Sequence, residues 1–187
     1  MASATTRLTI DDFERLPHEE TRRCELVDGE LVELSGTNPE HAFIRDLLIM
    51  LLGPVVRNQR LGHVMGGQKY NFGGNVHGPD ISFFGPEKVG LLNLNKRVQM
   101  FVPDFVIEIA APGDTLENLV RKKDRCLRSG TAEVWLISPE DCSAYVYSGA
   151  RKLILSGADQ LSTPLIPGFS IAVEDLFEQA WRRPLNP

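Results

Sequence analysis

Two short stretches decide the fold: Gly-Pro-Asp-Ile-Ser-Phe-Phe at residues 78–84 and Pro-Asp-Phe-Val-Ile-Glu-Ile-Ala at residues 103–110. Each is rich in β-branched and aromatic residues, is entered through a proline and is left through Gly-Pro or Ala-Pro. This pattern is typical of a buried strand. Asp80 lies at the start of the first strand, and Glu108 lies deep in the second.

The alternation of the second stretch separates Glu108 from the apolar side chains of Phe105, Ile107 and Ile109, which point to the opposite face. A buried, ionised carboxylate must be paired, hydrogen-bonded or bound to a cation. If the strands are neighbours, Asp80 and Glu108 together offer the oxygen donors that Mg²⁺ takes from proteins. The alternative is that Glu108 is the partner of a nearby arginine.

Composition indicates an ordinary globular protein. The chain has 187 residues, 42% of them hydrophobic and 24% charged, and we predict a single domain over residues 1–187. The first seven residues have no apolar leader segment, and no apolar run is long enough to span a bilayer. We therefore expect a soluble, cytoplasmic protein without a membrane partner. Its three cysteines, Cys24, Cys126 and Cys142, are expected to be reduced and mostly buried.

The formal net charge of −5 argues against a surface covered with phosphate-binding residues. A local basic site is still compatible with it, because residues 121–128 contain five basic side chains and one acid. Such a run on a helix indicates either a solvated face or a local nucleic-acid contact.

Patterns along the first half of the chain predict a short helix from Thr9 to Pro17, a hairpin turning at Asp28-Gly29 and a long helix opening at Asn38. Leu26, Leu31 and Leu34 are expected to be the apolar anchors of that hairpin. A second short hairpin is predicted over residues 62–75, and a surface connection that includes Lys96 and Arg97 over residues 85–102.

The second half predicts a helix capped by Asp114 or Thr115 that ends at Gly130, followed by a strand at residues 132–138. Strand, helix and strand in this order imply parallel pairing at the centre of the sheet. A C-terminal hairpin turning at Ser148-Gly149, a turn and a closing helix at residues 173–181 complete the chain.

Two residues of the first half have open roles. Glu25 belongs by default to the polar side of its hairpin, although it could reach a site formed by Asp80 and Glu108. His41 shares an apolar helix stripe with Ile44, where a histidine is either a hydrogen-bonded core residue or a ligand.

In fixed order, the chain contains Glu25-Leu26-Val27-Asp28-Gly29-Glu30, His41, Pro79-Asp80, an apolar strand ending in Glu108, Lys122, and Gly130 with Trp135. This combination resembles the PD-(D/E)XK restriction-endonuclease-like superfamily and, within it, the Uma-type family of endonuclease-like proteins, over about residues 9–180. The resemblance implies an α/β fold: a restriction-endonuclease-like core with a mixed central sheet flanked by helices, and a β-hairpin at each end.

The resemblance also implies roles. Asp80, Glu108 and the main-chain carbonyl of Ile109 would bind Mg²⁺ or Mn²⁺, which would polarise a phosphodiester and acidify an attacking water. Glu25 would support these ligands or bind a second cation. His41 would contact metal, water or phosphate. The expected partners are DNA as substrate and a second copy of the chain, with no organic cofactor.

The catalytic lysine of the superfamily usually lies two residues beyond the glutamate, where this chain has Ala110. The family resemblance moves it to the next helix, at Lys122, eight residues before Gly130. Periodicity favours a different residue, because Leu116, Leu119, Val120 and Leu127 define an inward stripe on which Lys123 lies more centrally. We predict Lys122 as the site lysine and keep Lys123 as the alternative.

Three functions follow from these residues. The first is a metal-dependent nuclease that hydrolyses DNA phosphodiesters. The second is a nucleic-acid-binding or assembly protein that keeps the nuclease fold without turnover, suggested by the net charge and by Ala110, Lys123 and Cys126 at positions where the family has other residues. The third treats Asp80, Glu108 and Lys122 as a buried ion-pair network in a structural domain.

Overall fold

A computed structural model describes residues 7–34 and 36–181. The single domain predicted for residues 1–187 includes residues 1–6, 35 and 182–187, which lie outside the described residues, and its extent stays a prediction. The helices are α1 (Ile10–Arg15), α2 (His18–Thr21), α3 (Pro39–Asn58), α4 (Pro86–Val89), α5 (Leu116–Arg128) and α6 (Val173–Trp181). The strands are β1 (Cys24–Val27), β2 (Glu30–Glu33), β3 (His63–Gly66), β4 (Lys69–Phe72), β5 (Asn75–His77), β6 (Ile81–Phe84), β7 (Val98–Gln99), β8 (Phe105–Ile109), β9 (Glu133–Ser138), β10 (Ser143–Ser148), β11 (Arg151–Ser156), β12 (Gln160–Ser162) and β13 (Ser170–Ala172).

The predicted helix starts and the first hairpin are confirmed. Thr9 and Asp12 form a capping box at α1, and Asn38 and Thr115 cap α3 and α5 through their side chains. The β1–β2 hairpin turns through Asp28 and Gly29, both at positive φ, as a tight two-residue turn requires.

A six-stranded mixed sheet forms the centre of the fold, in the order β11-β10-β9-β8-β6-β3. Strands β8 and β9 pair in parallel across the α5 crossover, as predicted, and β6 lies antiparallel on the other side of β8. A second, five-stranded sheet has the order β2-β1-β5-β4-β7, and β12 and β13 form a small third sheet. Fold class and both hairpins therefore agree with the sequence expectation.

Apolar residues cover both faces of the central sheet. One face packs against α3 and α6 through residues that include Ile107, Trp135 and Phe177. The other face packs against α5 and β4 through Val106 and Tyr70, among others. Because both faces are covered, a polar side chain that points away from β8 is enclosed by protein.

Three local predictions were wrong, and three elements were missed. Residues 62–75 do not form one hairpin: β3 joins the central sheet, and only β4 and β5 pair with each other. Leu31 is exposed rather than an apolar anchor, because β2 lies at the edge of its sheet. Cys126 is buried as expected, but Cys142 is exposed. Strands β12 and β13 and helix α2 were not predicted.

The connection at residues 85–102 was predicted to be a surface segment and is only partly so. It contains α4 and β7, and Arg97 donates hydrogen bonds to the carbonyls of Phe13, Glu14 and Leu16 and to Thr21 Oγ1. Leu94, in contrast, is 88% exposed. Arg97 therefore ties the N-terminal helices to the body of the fold. No helix in the described ranges is both long and apolar enough to cross a membrane.

Candidate functional site

Strand β8 carries Glu108 into the interior. Phe105, Ile107 and Ile109 face the α3 side of the sheet, as predicted, whereas Glu108 points to the other face and is only 5% exposed. A carboxylate at this depth needs partners, because burial without them costs several kcal/mol, on the order of the desolvation penalty of an ion.

Asp80 lies directly before β6, the antiparallel neighbour of β8. Its Oδ2 atom accepts a hydrogen bond of 2.8 Å from the main-chain N–H of Ile109 and lies 3.0 Å from His41 Nε2. His41 is 2% exposed, and its place near the start of α3 is fixed because its own N–H donates to the Asn38 cap. An ionised carboxylate only accepts, so His41 Nε2 carries the proton.

His77, at the end of β5, lies fully buried between two carboxylates. Its Nδ1 contacts Glu25 Oε1, and its Nε2 lies 2.6 Å from Glu108 Oε1. Glu25 belongs to β1 in the five-stranded sheet and Glu108 to β8 in the six-stranded sheet. The chain of contacts from Glu25 through His77 to Glu108 therefore joins the two sheets at the site.

Helix α5 presents Lys122, not Lys123, to this cluster. Lys122 Nζ lies 3.6 Å from Glu25 Oε1. Lys123 Nζ lies 4.6 Å from the centre of the Tyr147 ring and 2.5 Å from Asp124 Oδ1.

The inward stripe predicted for this helix was wrong at Leu116, which is 76% exposed. Leu119 and Cys126 are the buried residues of α5, and Lys122 lies between them at helical spacing. The spacing implied by the family resemblance, rather than the periodicity, selects the lysine that reaches the cluster.

A comparison with protein families matches residues 10–174 to the Uma2 family, described as "Putative restriction endonuclease". The chain belongs to the Uma2 family. Among solved structures, this Uma2 chain is similar to that of a "putative nuclease belonging to DUF820" from Anabaena variabilis ATCC 29413, with a TM-score of 0.83 and 24% identity. The match covers 92% of this chain and 99% of the other, and at this identity it supports the fold. A comparison with curated proteins finds no match.

The pKa values of the two carboxylates that His77 contacts in this Uma2 site are shifted in opposite directions. Burial opposes the ionisation of Glu25, but His77 and Lys122 outweigh it and lower the pKa of Glu25 to about 2. Burial raises the pKa of Glu108 against the pull of His77 and Lys122, and the negative charge of Asp80 adds to the rise. The negative charge of Glu108 is thus less fully compensated by its neighbours than that of Glu25.

The two cations of the cluster are held in their charged forms. Burial opposes the charge on His77, but Glu25 and Glu108 raise the pKa of His77 well above its ordinary value. Burial likewise opposes the charge on Lys122, and Glu108 and Glu25 raise the pKa of Lys122. At neutral pH His77 is therefore an imidazolium that donates to both glutamates.

Donor chemistry at Asp80 and Glu108 fits a hard divalent cation. Each carboxylate keeps a second oxygen, Asp80 Oδ1 and Glu108 Oε2, for which residues 7–34 and 36–181 provide no hydrogen-bond partner. Carboxylate and carbonyl oxygens are the ligands that Mg²⁺ accepts. Within the same ranges, no three His, Cys, Asp or Glu side chains form a metal-holding group. Any cation here would therefore depend on water or main-chain oxygen for further ligands.

Sequence reasoning missed His77. The signal was a histidine three residues before Asp80, on a short strand that leads into the Pro79-Asp80 turn. It also gave no account of the second Pro-Asp pair, at Asp104. Asp104 lies at the opposite end of β8, accepts a 2.8 Å hydrogen bond from Gly85 N and pairs with Lys88. Only the Pro-Asp pair at residue 80 contributes to the cluster.

Proposed function

We propose that this Uma2 protein is a divalent-cation-dependent endonuclease that hydrolyses phosphodiester bonds of DNA. The observation that carries the proposal is the convergence of Asp80, Glu108 and Lys122, from three separate elements, on one enclosed cluster. Family membership supports a nuclease. The cation requirement and the choice of DNA are our inference from the oxygen donors and the lysine.

Asp80, Glu108 and the carbonyl of Ile109 would hold Mg²⁺ or Mn²⁺, which when bound supplies a Lewis acid and a more acidic water. The chain's own residues do the rest. Lys122 supplies a positive charge to the negative charge that grows on the phosphate in the transition state. His41 orients Asp80 through Oδ2, and His77 holds Glu108 through Oε1, so that both carboxylates keep one oxygen for the site.

A basic flank next to the cluster supports a nucleic-acid substrate. A cavity of about 240 Å³ is lined by Lys69, Arg22 and Arg97, among others. Lys69 Nζ donates only a long bond of 3.3 Å to the Arg22 carbonyl, and neither Lys69 nor Arg22 forms an ion pair with a carboxylate in the described parts of the chain. Phosphates adjacent to the scissile one are the anions that Lys69 and Arg22 could bind, whereas Arg97 is already bound to main-chain carbonyls and to Glu14.

The decisive experiment is DNA cleavage by the full chain with Mg²⁺ or Mn²⁺ and with EDTA. We expect cleavage that needs the cation and is lost, by about a hundredfold or more, in Asp80→Ala and Glu108→Ala. Asp104→Asn is the matched control, because Asp104 belongs to the other Pro-Asp pair of the chain and lies outside the cluster. If the wild type neither binds a divalent cation by calorimetry nor cleaves DNA, the proposal fails.

Lys122 and Lys123 form a second matched pair. Lys122→Met should reduce cleavage by about a hundredfold or more, because it removes the only ammonium that contacts Glu25 among the described residues. Lys123→Met should keep cleavage within a few fold of wild type, since its ammonium lies on Tyr147 and Asp124. The reverse order would assign the role to Lys123.

The second candidate function is a nucleic-acid-binding or assembly protein without turnover. His77 favours it, because an imidazolium between Glu25 and Glu108 already compensates the charge of these carboxylates without a metal ion. This function predicts salt-dependent DNA binding without cleavage, unchanged in Asp80→Ala.

We also propose that the endonuclease acts as a homodimer in the cytoplasm, since cutting both strands takes two sites. Exposed apolar side chains of α3, Phe43 and Met50, and Leu91 and Leu94 offer surfaces for such contact. Light scattering during gel filtration would test the dimer: a single peak at the mass of one chain, at concentrations where DNA is cleaved, would contradict it.

A further inference from the structure

A second, larger cavity opens at the end of β8, the strand that carries Glu108. It has a volume of about 800 Å³ and begins at Ala110, the residue after Ile109. Helix α5 forms one wall through Leu119 and Val120, and β10 forms the opposite wall through Tyr145. Crevices at the carboxyl ends of parallel strands, here β8 and β9, are the usual ligand sites of α/β sheets. The volume lies within the range of small-molecule sites, roughly 300–1,000 Å³.

Tyr145 offers an open aromatic surface in this cavity. The neighbouring ring of Tyr147 is covered by the ammonium groups of Lys123 and Lys152, at 4.6 and 5.7 Å from its centre. Tyr145 is half-buried, and no ring or cation contacts its ring in the described ranges. Leu116, which also lines the cavity, is 76% exposed, and Ile154, the cross-strand partner of Tyr145 on β11, is 59% exposed, so both add apolar surface. A flat apolar ligand could therefore stack on Tyr145.

The charges of the lining select which part of a nucleic acid can enter. Four carboxylates line the cavity against one ammonium, that of Lys152, so a phosphate would be repelled. Carboxylates instead accept hydrogen bonds from the exocyclic amino groups of bases. The carboxylates are those of Glu40, Asp114, Glu140 and Asp141.

The cavity and the candidate site share a boundary. Glu40 precedes His41 in α3, Ala110 follows Ile109 in the chain, and the charge of Asp114 acts on Lys122. A nucleotide with its phosphate at Lys122 therefore has its base within reach of the cavity. A base inside a duplex cannot enter such a pocket, so the occupant must be unstacked.

We propose that this cavity binds one unstacked nucleobase that carries an exocyclic amino group, on the strand whose phosphodiester lies at Asp80 and Glu108. The proposal rests on the nuclease function proposed above and adds a substrate class: single-stranded or locally opened DNA. Tyr145 supplies the stacking surface, and the carboxylates favour cytosine, adenine or guanine over thymine.

The test is binding of fluorescently labelled oligo(dC) and oligo(dT) to the full chain in EDTA, measured by anisotropy. We expect tighter binding of oligo(dC), by about fivefold or more. Tyr145→Leu should weaken binding of both by about five- to a hundredfold, whereas Tyr145→Phe, which keeps the ring, should bind like wild type. The double variant Glu140→Gln, Asp141→Asn should lose the preference for oligo(dC), so that the ratio of the two affinities falls close to one, while the loss of two negative charges raises both affinities.

Binding in EDTA separates this proposal from the nuclease. Equal affinities of wild type and Tyr145→Leu, with unchanged melting curves, would overturn the base site even if the protein cleaves DNA. Equal affinities for the two oligonucleotides would overturn the amino-group preference. Binding that depends on Tyr145 without any cation-dependent cleavage would support the base site and contradict the nuclease.

Discussion

The two buried histidines of the site, His77 and His41, differ in how many carboxylates each one faces. His77 contacts Glu25 and Glu108 with its two ring nitrogens, whereas the His41 ring contacts a single carboxylate among the described residues, that of Asp80, through Nε2. His41 Nδ1 is buried without a partner among the described residues. Exposed fractions are similar for the two histidines, at 0% and 2%, so burial alone does not distinguish them.

This difference assigns the histidines different physical tasks. His77 compensates negative charge that is enclosed on all sides, and we expect it to be part of what holds the fold together. His41 orients a carboxylate that is 21% exposed and also accepts a main-chain hydrogen bond. Removing His77 leaves the buried charges of Glu25 and Glu108 without the imidazolium that they share. Removing His41 leaves Asp80 hydrogen-bonded to the N–H of Ile109 and partly exposed to water.

The largest expected effect is on stability. His77→Leu should lower the free energy of unfolding by about 3–5 kcal/mol, because it leaves Glu25 and Glu108 buried without their shared cation. The matched variant His41→Leu should lower it by only about 1–2 kcal/mol, through one hydrogen bond to a charged group. Urea unfolding of both variants in EDTA measures the difference. Equal losses would show that His77 does not compensate both carboxylates.

Local signals made the fold predictable. The Thr9 and Asn38 caps, the Asp28-Gly29 turn and the strand-helix-strand order across α5 depend on neighbouring residues, and all were confirmed. Strand β3 could not be assigned in the same way. β3 pairs with β6 in the central sheet, and the chain then passes to the five-stranded sheet after the glycines at residues 66–67. No local sequence pattern encodes the choice of β6 as the partner.

The candidate site was harder to predict because its members come from distant elements. Glu108 could be found from strand alternation alone, but Lys122 was selected only by resemblance, since the apolar periodicity of α5 favoured Lys123. His77 was missed, although it lies three residues before Asp80 on a strand that leads into the Pro79-Asp80 turn. The role of His77 depends on its contact with Glu108, which brings β5 and β8 of two different sheets together. A single sequence does not show which strands of different sheets lie against each other.

The next effect concerns the acid limb of stability. Glu25 has a pKa of about 2 in the folded chain against 4.5 ordinarily, so its ionised form stabilises the fold above pH 4.5, and this stabilisation is lost as the pH falls toward 2. The shift corresponds to about 3 kcal/mol. In Glu25→Gln, the free energy of unfolding should therefore fall less steeply across this window than in wild type. Parallel curves for the two proteins would contradict the pairing of Glu25 with His77.

Glu108 provides the control with the opposite sign. Because the pKa of Glu108 is raised, its contribution to stability is present below pH 4.5 and is lost as the pH rises through its folded pKa. Glu108→Gln should thus change the pH dependence above 4.5 and leave the acid window intact. One imidazolium would then be shown to face two carboxylates whose titrations act on stability in opposite directions.

The smallest expected effect separates a cation site from an ion-pair network. Asp80→Asn in EDTA should change the free energy of unfolding by no more than about 1 kcal/mol, because the amide oxygen can still accept from Ile109 N and repulsion with Glu108 is relieved. Added Mg²⁺ or Mn²⁺ should stabilise the wild type in proportion to RT ln(1 + [L]/Kd) and leave Asp80→Asn unchanged. A loss of about 3 kcal/mol or more in EDTA, with no response of the wild type to either cation, would place Asp80 with His77 among the groups that hold the fold. His41 would then stabilise the fold through Asp80, as His77 does through Glu25 and Glu108. The nuclease proposal would have no bound divalent cation to support it.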